Sequence, residues 1–126
     1  MNNREIDRLV AEKVMGWEPN LDDDGTILSY DTEFGNLFFC DDNENDWSPS
    51  TDIQNAWKVV ESLRERKIFT IYDAWDEKDE KIFCANFQYN DTYHVVDYSA
   101  YADTAPMAIC LAALKVVGIE SSEEAK

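Results

Sequence analysis

The apolar segment "AICLAALKVV" near the C-terminus constrains the fold of this 126-residue chain more than any other part. Its composition is typical of a helix, and Lys115 is its only charged residue. A helix that is apolar on nearly all sides must be buried on nearly all sides, and its alanines allow close approach to a sheet. Asp103 or Thr104 can cap this helix, and Gly118 can end it. The sequence therefore predicts a buried helix over residues 105–117.

A second helix is predicted over residues 52–64, because its apolar residues recur at helical spacing on one face. Thr51 and Gln54, three residues apart at its start, have the pattern of a capping box. Pro49 prevents the helix from beginning earlier, since a proline disfavours helical backbone at the residue before it. The apolar stripe consists of Ile53, Ala56, Trp57, Val60 and Leu63.

Three strands are predicted between these two helices, at residues 68–75, 82–89 and 93–98. All three segments are rich in β-branched and aromatic residues, and the short polar segments "DEKDEK" and "NDT" separate them. Connections this short join antiparallel strands, so we expect a meander. Residues 83–89 alternate apolar and polar side chains, which indicates one core face and one wetter face.

The N-terminal part of the chain predicts a helix at residues 4–15 and two strands at 26–30 and 36–40. The full order is then α-β-β-α-β-β-β-α. This order predicts an α+β domain in which helices sandwich an antiparallel sheet of about five strands. We expect one domain over residues 1–118 and a flexible acidic tail over residues 119–126.

Negative charge is concentrated in one segment of the chain. The formal net charge is −16, and the eleven acids at residues 14–57 have no lysine or arginine among them. Such a field repels nucleic acid and anionic membranes and attracts cations or basic partners. Solubility is the simpler interpretation of the same charge. We therefore expect neither direct nucleic-acid binding nor membrane binding.

Membrane spans and disulfides are not predicted either. No run of about 18 apolar residues is present, and the N-terminus lacks the pattern of a secretory signal. The cysteines Cys40, Cys84 and Cys110 are odd in number and fit no zinc spacing. Reduced thiols and a cytoplasmic location are the simplest expectation. The sequence is also compatible with an oligomer.

The acidic stretch "NLDDDGTILSYD", residues 20–31, resembles the calcium loop of an EF-hand in its spacing. A calcium loop needs a helix on each side, however, and "GTILSY" has the pattern of a strand. A turn at Asp24-Gly25 between two strands explains the same residues, and we prefer that interpretation. The weak candidate metal ligands are Asn20, Asp22, Asp24 and Asp31.

Three segments, at residues 9–17, 47–61 and 103–118, together resemble the phage ABA-sandwich domain family. These are small proteins of phages and prophages of Gram-positive bacteria, and their function is unassigned. The aromatic-Ser-Thr-Asp start of the family's second helix is interrupted here by Pro49, in "WSPSTD". The resemblance implies a sheet between helices and a phage origin, with an infected bacterial cell as the setting. It implies no reaction.

Catalysis is not expected from the residues themselves. No nucleophile elbow, phosphate-binding loop or metal-protease motif occurs in the chain. The lone histidine, His94, lies in a predicted strand, where a packing or surface role is more common than a catalytic one. Cys110 lies in the predicted buried helix without a basic neighbour, which indicates an inert thiol. We expect no cofactor.

Two loops, "WSPSTD" and "YADTAP", share one plan: an aromatic residue, then small hydroxyl or acidic residues, then a helix start. A helix N-terminus suits a phosphate group, and the aromatic rings could stack on a base. Ordinary helix capping explains the same pattern and remains an alternative. The candidate ligand-binding residues are Trp47, Ser48, Ser50, Thr51, Tyr101 and Thr104.

Two functions follow, both non-enzymatic. The first, slightly preferred, is a phage accessory protein that counters host defence by sequestering a nucleotide-type signal. The alternative is an acidic inhibitor that imitates nucleic acid and binds a basic host protein surface. The residues of this alternative are Asp22, Asp23, Asp24, Asp41, Asp42, Glu44 and Asp46.

Overall fold

The structure is a computed structural model, and it describes residues 2–39, 46–90 and 93–119. Its strands form two antiparallel three-stranded sheets, β1-β2-β3 and β4-β5-β6. The elements follow in the order α1 (Asn3–Leu9), a π-helical turn (Val10–Val14), β1 (Pro19–Leu21), β2 (Ile27–Thr32), β3 (Gly35–Phe38), α2 (Ile53–Leu63), β4 (Ile68–Trp75), β5 (Lys81–Asn90), β6 (Val95–Ala102) and α3 (Ala105–Val116).

The predicted α+β class is confirmed, but the single sheet of about five strands is wrong. The described residues form six strands in two separate sheets, and β1 was not predicted. That strand has only three residues, begins at a proline and lies in an acidic segment, so it carries almost no strand signal of its own. Its pairing with β2 defines it.

Helix α3 is the centre of the protein, as its composition predicts. It packs on β5 and β6 on one side and on α1 and α2 on the other. Ala108, Cys110, Ala112 and Ala113 are completely buried. After Gly118, which has a φ of +84°, Ile119, the first residue of the predicted tail, packs against the core. Residues 120–126 lie outside the described residues.

The sheet β4-β5-β6 is the predicted meander. Strand β4 has the predicted bounds, whereas β6 ends four residues later than expected, at Ala102. Residues 99–102 contain serine and two alanines, which have weak strand propensity, so pairing with β5 decides their conformation. Ala85, Phe87 and Ala100 face α3 and are fully buried.

The first helix departs from the prediction in its second half. Asn2 caps it, with Oδ1 accepting from the Glu5 N–H at 2.8 Å. After α1 the chain continues as the π-helical turn, and Gly16, with a φ of +75°, then ends the helix. Trp17 packs against the core, with its ring centroid 4.7 Å from that of Trp47.

Helix α2 is capped by Asp52, whose Oδ1 accepts from the Gln54 N–H at 2.8 Å. The predicted capping box is therefore wrong, because the Thr51 hydroxyl donates to the Ser48 carbonyl instead. Ala56 and Val60 of the apolar stripe are completely buried. None of the helices in the described part of the chain has the length and hydrophobicity that a membrane span needs.

Candidate functional site

The loops before α2 and α3, which are far apart in sequence, meet at one open groove of ≈ 770 Å³. Ser50 and Thr51 line it from the first loop, and Tyr101 and Thr104 line it from the second. The structure thus brings four of the six candidate ligand-binding residues together. The groove also has contributions from α1 and α3, namely Asn3, Ile6, Met107 and Leu111.

Trp47 does not belong to this groove. Its side chain is completely buried, and its indole N–H donates to the Asp7 carbonyl at 3.0 Å. The expectation that Trp47 stacks on a base is wrong, because its ring has no exposed face. The sequence could not separate this tryptophan from Tyr101, since both are aromatic residues placed shortly before a helix.

Ser48, the other absent candidate, lies beside a second, smaller pocket of ≈ 390 Å³. That pocket includes Arg4, Asp7 and Asp46 and shares only Asn3 and Thr51 with the groove. The Ser48 carbonyl accepts from the Asp52 N–H at 2.8 Å, so this residue shapes the turn before α2.

A buried polar cluster fixes the first loop beside the groove. Asp7, only 1 % exposed, accepts from the Ser50 N–H at 2.9 Å and from Arg4 Nη1 at 2.8 Å. Arg4 also contacts Asp46 and donates to the Trp47 carbonyl. Burial raises the pKa of Asp7, although the Ser50 and Arg4 hydrogen bonds oppose this shift. Asp7 was not predicted as part of this site. Its only sequence signal is its position next to Ile6, on the side of α1 that is buried.

The lining of the groove suits the uncharged part of a ligand better than a phosphate. Ile6, Met107 and Leu111 provide an apolar surface, and Asp103 provides a carboxylate. Among the described residues that line it, there is no lysine or arginine. The two helix starts offer little to an anion, because they are capped by their own side chains and Pro106 lacks an N–H.

Tyr101 lies where the groove meets the outer face of the sheet β4-β5-β6. It is 53 % exposed, and its register partner on β5 is the buried Cys84. Tyr72 lies on the other side of Cys84 in the same row. The thiol raises the pKa of Tyr101 and, through a hydrogen bond, raises the pKa of Tyr72 to about 12. Both phenols are therefore uncharged at neutral pH.

The acidic turn between β1 and β2 is a hairpin, as the sequence predicts. Oδ1 of Asp22 accepts from the N–H groups of Asp24 and Thr26, at 2.8 and 3.0 Å. Asn20 lies in β1 and Asp31 in β2, so strands and not helices flank the loop. Within the described ranges, no group of three or more histidine, cysteine, aspartate or glutamate residues is arranged to hold a metal.

The candidate acids of the alternative function differ in their surroundings. Asp23 and Asp24 are exposed at the hairpin turn. Asp22 is committed to the hydrogen bonds of that turn, and Asp46 is ion-paired with Arg4 at 3.2 Å. The remaining three, Asp41, Asp42 and Glu44, lie outside the described residues.

Neither His94 nor Cys110 lines the groove. His94 is exposed and precedes β6 instead of lying within a strand. Cys110 is completely buried in α3, and burial raises the pKa of its thiol well above the ordinary value. The thiol is therefore protonated at neutral pH and a poor nucleophile.

In a comparison with known protein families, the Phage ABA sandwich domain model aligns with residues 8–114. The chain belongs to the phage ABA sandwich domain family. The matched region of this ABA sandwich domain includes both loops of the groove and excludes Asn3 and Ile6. Comparison with the curated proteins and with the solved structures found no match.

Proposed function

We propose that this phage ABA sandwich domain binds a nucleotide-type small molecule in the groove between the starts of α2 and α3. It would act without catalysis, in the cytoplasm of an infected bacterial cell, by withholding such a signal from host defence. One observation carries the proposal. The two loops that share an aromatic-hydroxyl-helix plan line the same open groove, ≈ 770 Å³ in volume, which is within the size range of small-molecule sites.

The charges of the groove decide which part of the ligand enters it. The base and sugar would lie against Ile6, Met107 and Leu111, with hydroxyls of Thr51 and Thr104 at the rim. The phosphates would remain in solvent, because Asp103 lines the groove and the protein carries a net charge of −16. Stacking and hydroxyl contacts, and not ion pairs, would supply the affinity.

Replacing Tyr101 with alanine tests this arrangement. Base–aromatic stacking is worth roughly 1–3 kcal/mol, so we expect affinity to fall by about tenfold or more. Tyr72→Ala is the matched control, because Tyr72 is similarly exposed at 48 % and also contacts Cys84, but it does not line the groove. Calorimetry with a panel of cyclic nucleotides and ADP-ribose derivatives measures both variants.

The proposal would be abandoned if no ligand of the panel bound the wild-type protein. Binding that Tyr101→Ala and Tyr72→Ala weaken equally would place the ligand away from the groove. A steep loss of affinity with rising salt would also contradict it, since that behaviour belongs to phosphate groups held by lysine or arginine.

A second function is favoured by the exposed acids of the β1–β2 turn. Asp23 and Asp24 are exposed at the turn. They could occupy a basic, nucleic-acid-binding surface of a host protein by imitating a row of phosphates. In this alternative the affinity comes from long-range attraction, so it would be sensitive to salt.

Neutralising Asp23 and Asp24 to asparagine tests this alternative. The double variant should capture less of a basic host protein from lysate at low salt, and added salt should release the protein from wild type. The double variant Glu5→Gln/Glu18→Gln removes the same charge from two exposed acids outside the β1–β2 turn and serves as the control. Equal capture by wild type and both variants would exclude a role for the β1–β2 turn.

A further inference from the structure

Strand β4 is an unpaired edge of the sheet β4-β5-β6, since among the described residues it pairs only with β5. It is eight residues long and contains no proline or glycine. Its exposed apolar residues include Ile68 (55 %), Ile71 (37 %) and Trp75 (67 %). Long apolar edge strands invite pairing with another strand, and proteins usually protect them.

The opposite edge, β6, has such protection. The ammonium group of Lys115, on α3, donates to the carbonyl of Ser99 at 2.5 Å. One backbone acceptor of β6 is therefore already used by a charged side chain of the same molecule. Within the described ranges, no helix side chain makes a corresponding hydrogen bond to the backbone of β4.

An apolar groove of ≈ 340 Å³ lies between β4 and α2. Ile53 and Trp57 of α2 line it and are 49 % and 43 % exposed, although both belong to the apolar stripe of the helix. Ile71 lines it from β4 and points to the same side of the sheet as the core residues of β5. One more strand beside β4 would place its own side chains over Ile53 and Trp57.

The charges at the two ends of β4 are opposite in sign. Residues 64–67, before the strand, contain three cations and one acid, whereas residues 76–81, after it, contain four acids and two cations. When two copies of β4 pair antiparallel, the basic end of one copy meets the acidic end of the other. Asp73 lies on the core side of the sheet, where its charge could oppose pairing. Its carboxylate is 4.0 Å from the ammonium group of Lys81, and this ion pair reduces the repulsion.

We propose that β4 pairs antiparallel with β4 of a second copy, so that two three-stranded sheets become one six-stranded sheet in a symmetric dimer. The interface is the same patch on both subunits, as two-fold symmetry requires. It buries Ile71, Ile53 and Trp57 and joins the oppositely charged strand ends. This dimer does not depend on ligand binding, because its residues lie outside the ≈ 770 Å³ groove.

Sedimentation equilibrium of the full chain, from about 5 to about 300 µM, tests the dimer by mass action. Ile71→Lys should weaken dimerisation at least about tenfold, because it places an unpaired charge in the interface. Val96→Lys is the matched control on β6, since Val96 is 38 % exposed against 37 % for Ile71. The control should dimerise as wild type does.

Exchanging the charges at the two ends of β4 provides a second test that leaves the apolar residues of the interface unchanged. Arg66 and Glu77 are both exposed, one at each end of β4. Arg66→Glu should weaken the dimer about tenfold, because two attractive pairs become repulsive, and the double variant Arg66→Glu/Glu77→Lys should restore it. Hydrogen exchange of wild type should show that β4 amides become more protected as concentration rises.

Three results would overturn the proposal. One is a monomer throughout the concentration range. Another is a dimer that Val96→Lys disrupts and Ile71→Lys leaves intact, which would place the interface on β6. The third is a double variant that dimerises no more tightly than Arg66→Glu, which would mean that the strand ends do not meet.

Discussion

Replacing Trp47 with alanine lowers the free energy of unfolding by about 3–5 kcal/mol, the usual cost of removing a fully buried tryptophan. Its ring is completely buried and packs edge-on against Trp17. Its indole N–H donates to the Asp7 carbonyl of α1, so the residue joins the segment before α2 to the first helix. A loss of this size is a large fraction of the 5–15 kcal/mol by which domains are typically stable.

Urea unfolding followed by far-UV circular dichroism measures this loss, since fluorescence would change with the removal of a tryptophan. Trp75→Ala is the control, because Trp75 is 67 % exposed and should cost no more than about 1 kcal/mol. A similar loss for both variants would contradict the assignment of Trp47 to the core. Trp47→Phe, which keeps a ring but not the indole hydrogen bond, should fall between wild type and Trp47→Ala.

Replacing Asp7 with alanine is expected to cost about 2–4 kcal/mol. The change leaves the Ser50 N–H buried without its acceptor and removes one of the partners of Arg4. Asp7→Asn should cost less, because its amide oxygen can still accept from Ser50. Glu5→Ala is the control on the same helix, where an exposed acid contributes about 0.5 kcal/mol.

The pH dependence of the same variants tests the raised pKa of Asp7. Because burial raises this pKa above the ordinary value of 3.8, the folded state holds the proton more tightly than the unfolded chain does. The stabilising contribution of Asp7 is therefore complete below about pH 3.8 and falls as pH rises through the raised pKa. The stability advantage of wild type over Asp7→Asn should shrink between pH 4 and pH 7 in urea unfolding. An advantage that grows over this range would mean that the pKa is lowered.

The agreement between sequence and structure is best where the signal is local. The bounds of β4, the buried character of α3 and the end of α3 before Gly118 follow from patterns within a few neighbouring residues. The prediction fails where a distant partner decides the conformation. β1 exists because β2 pairs with it, and residues 99–102 are strand because β5 pairs with them.

The prediction of the groove residues also succeeds where the signal is local and fails where a distant contact decides. Ser50, Thr51, Tyr101 and Thr104 were recognised from the shared plan of two helix starts, and all four line one groove. Trp47 fitted that plan equally well but is buried against Trp17 and Asp7, residues that lie 30 and 40 positions away. Local sequence indicates that an aromatic residue stands before a helix, but it does not indicate which face of that residue is covered.

Sequence patterns alone predict the α+β class, the buried helix α3, the turn at Asp24-Gly25 and the two similar loops before α2 and α3. These features depend on periodicity, turn chemistry and composition, which act over a few residues. Tertiary packing alone accounts for the division of the strands into two sheets, the hydrogen bond from the Ser50 N–H to Asp7 and the open edge at β4. Each of these depends on contacts between segments distant along the chain, and the geometry of such contacts is fixed when the helices and sheets pack together.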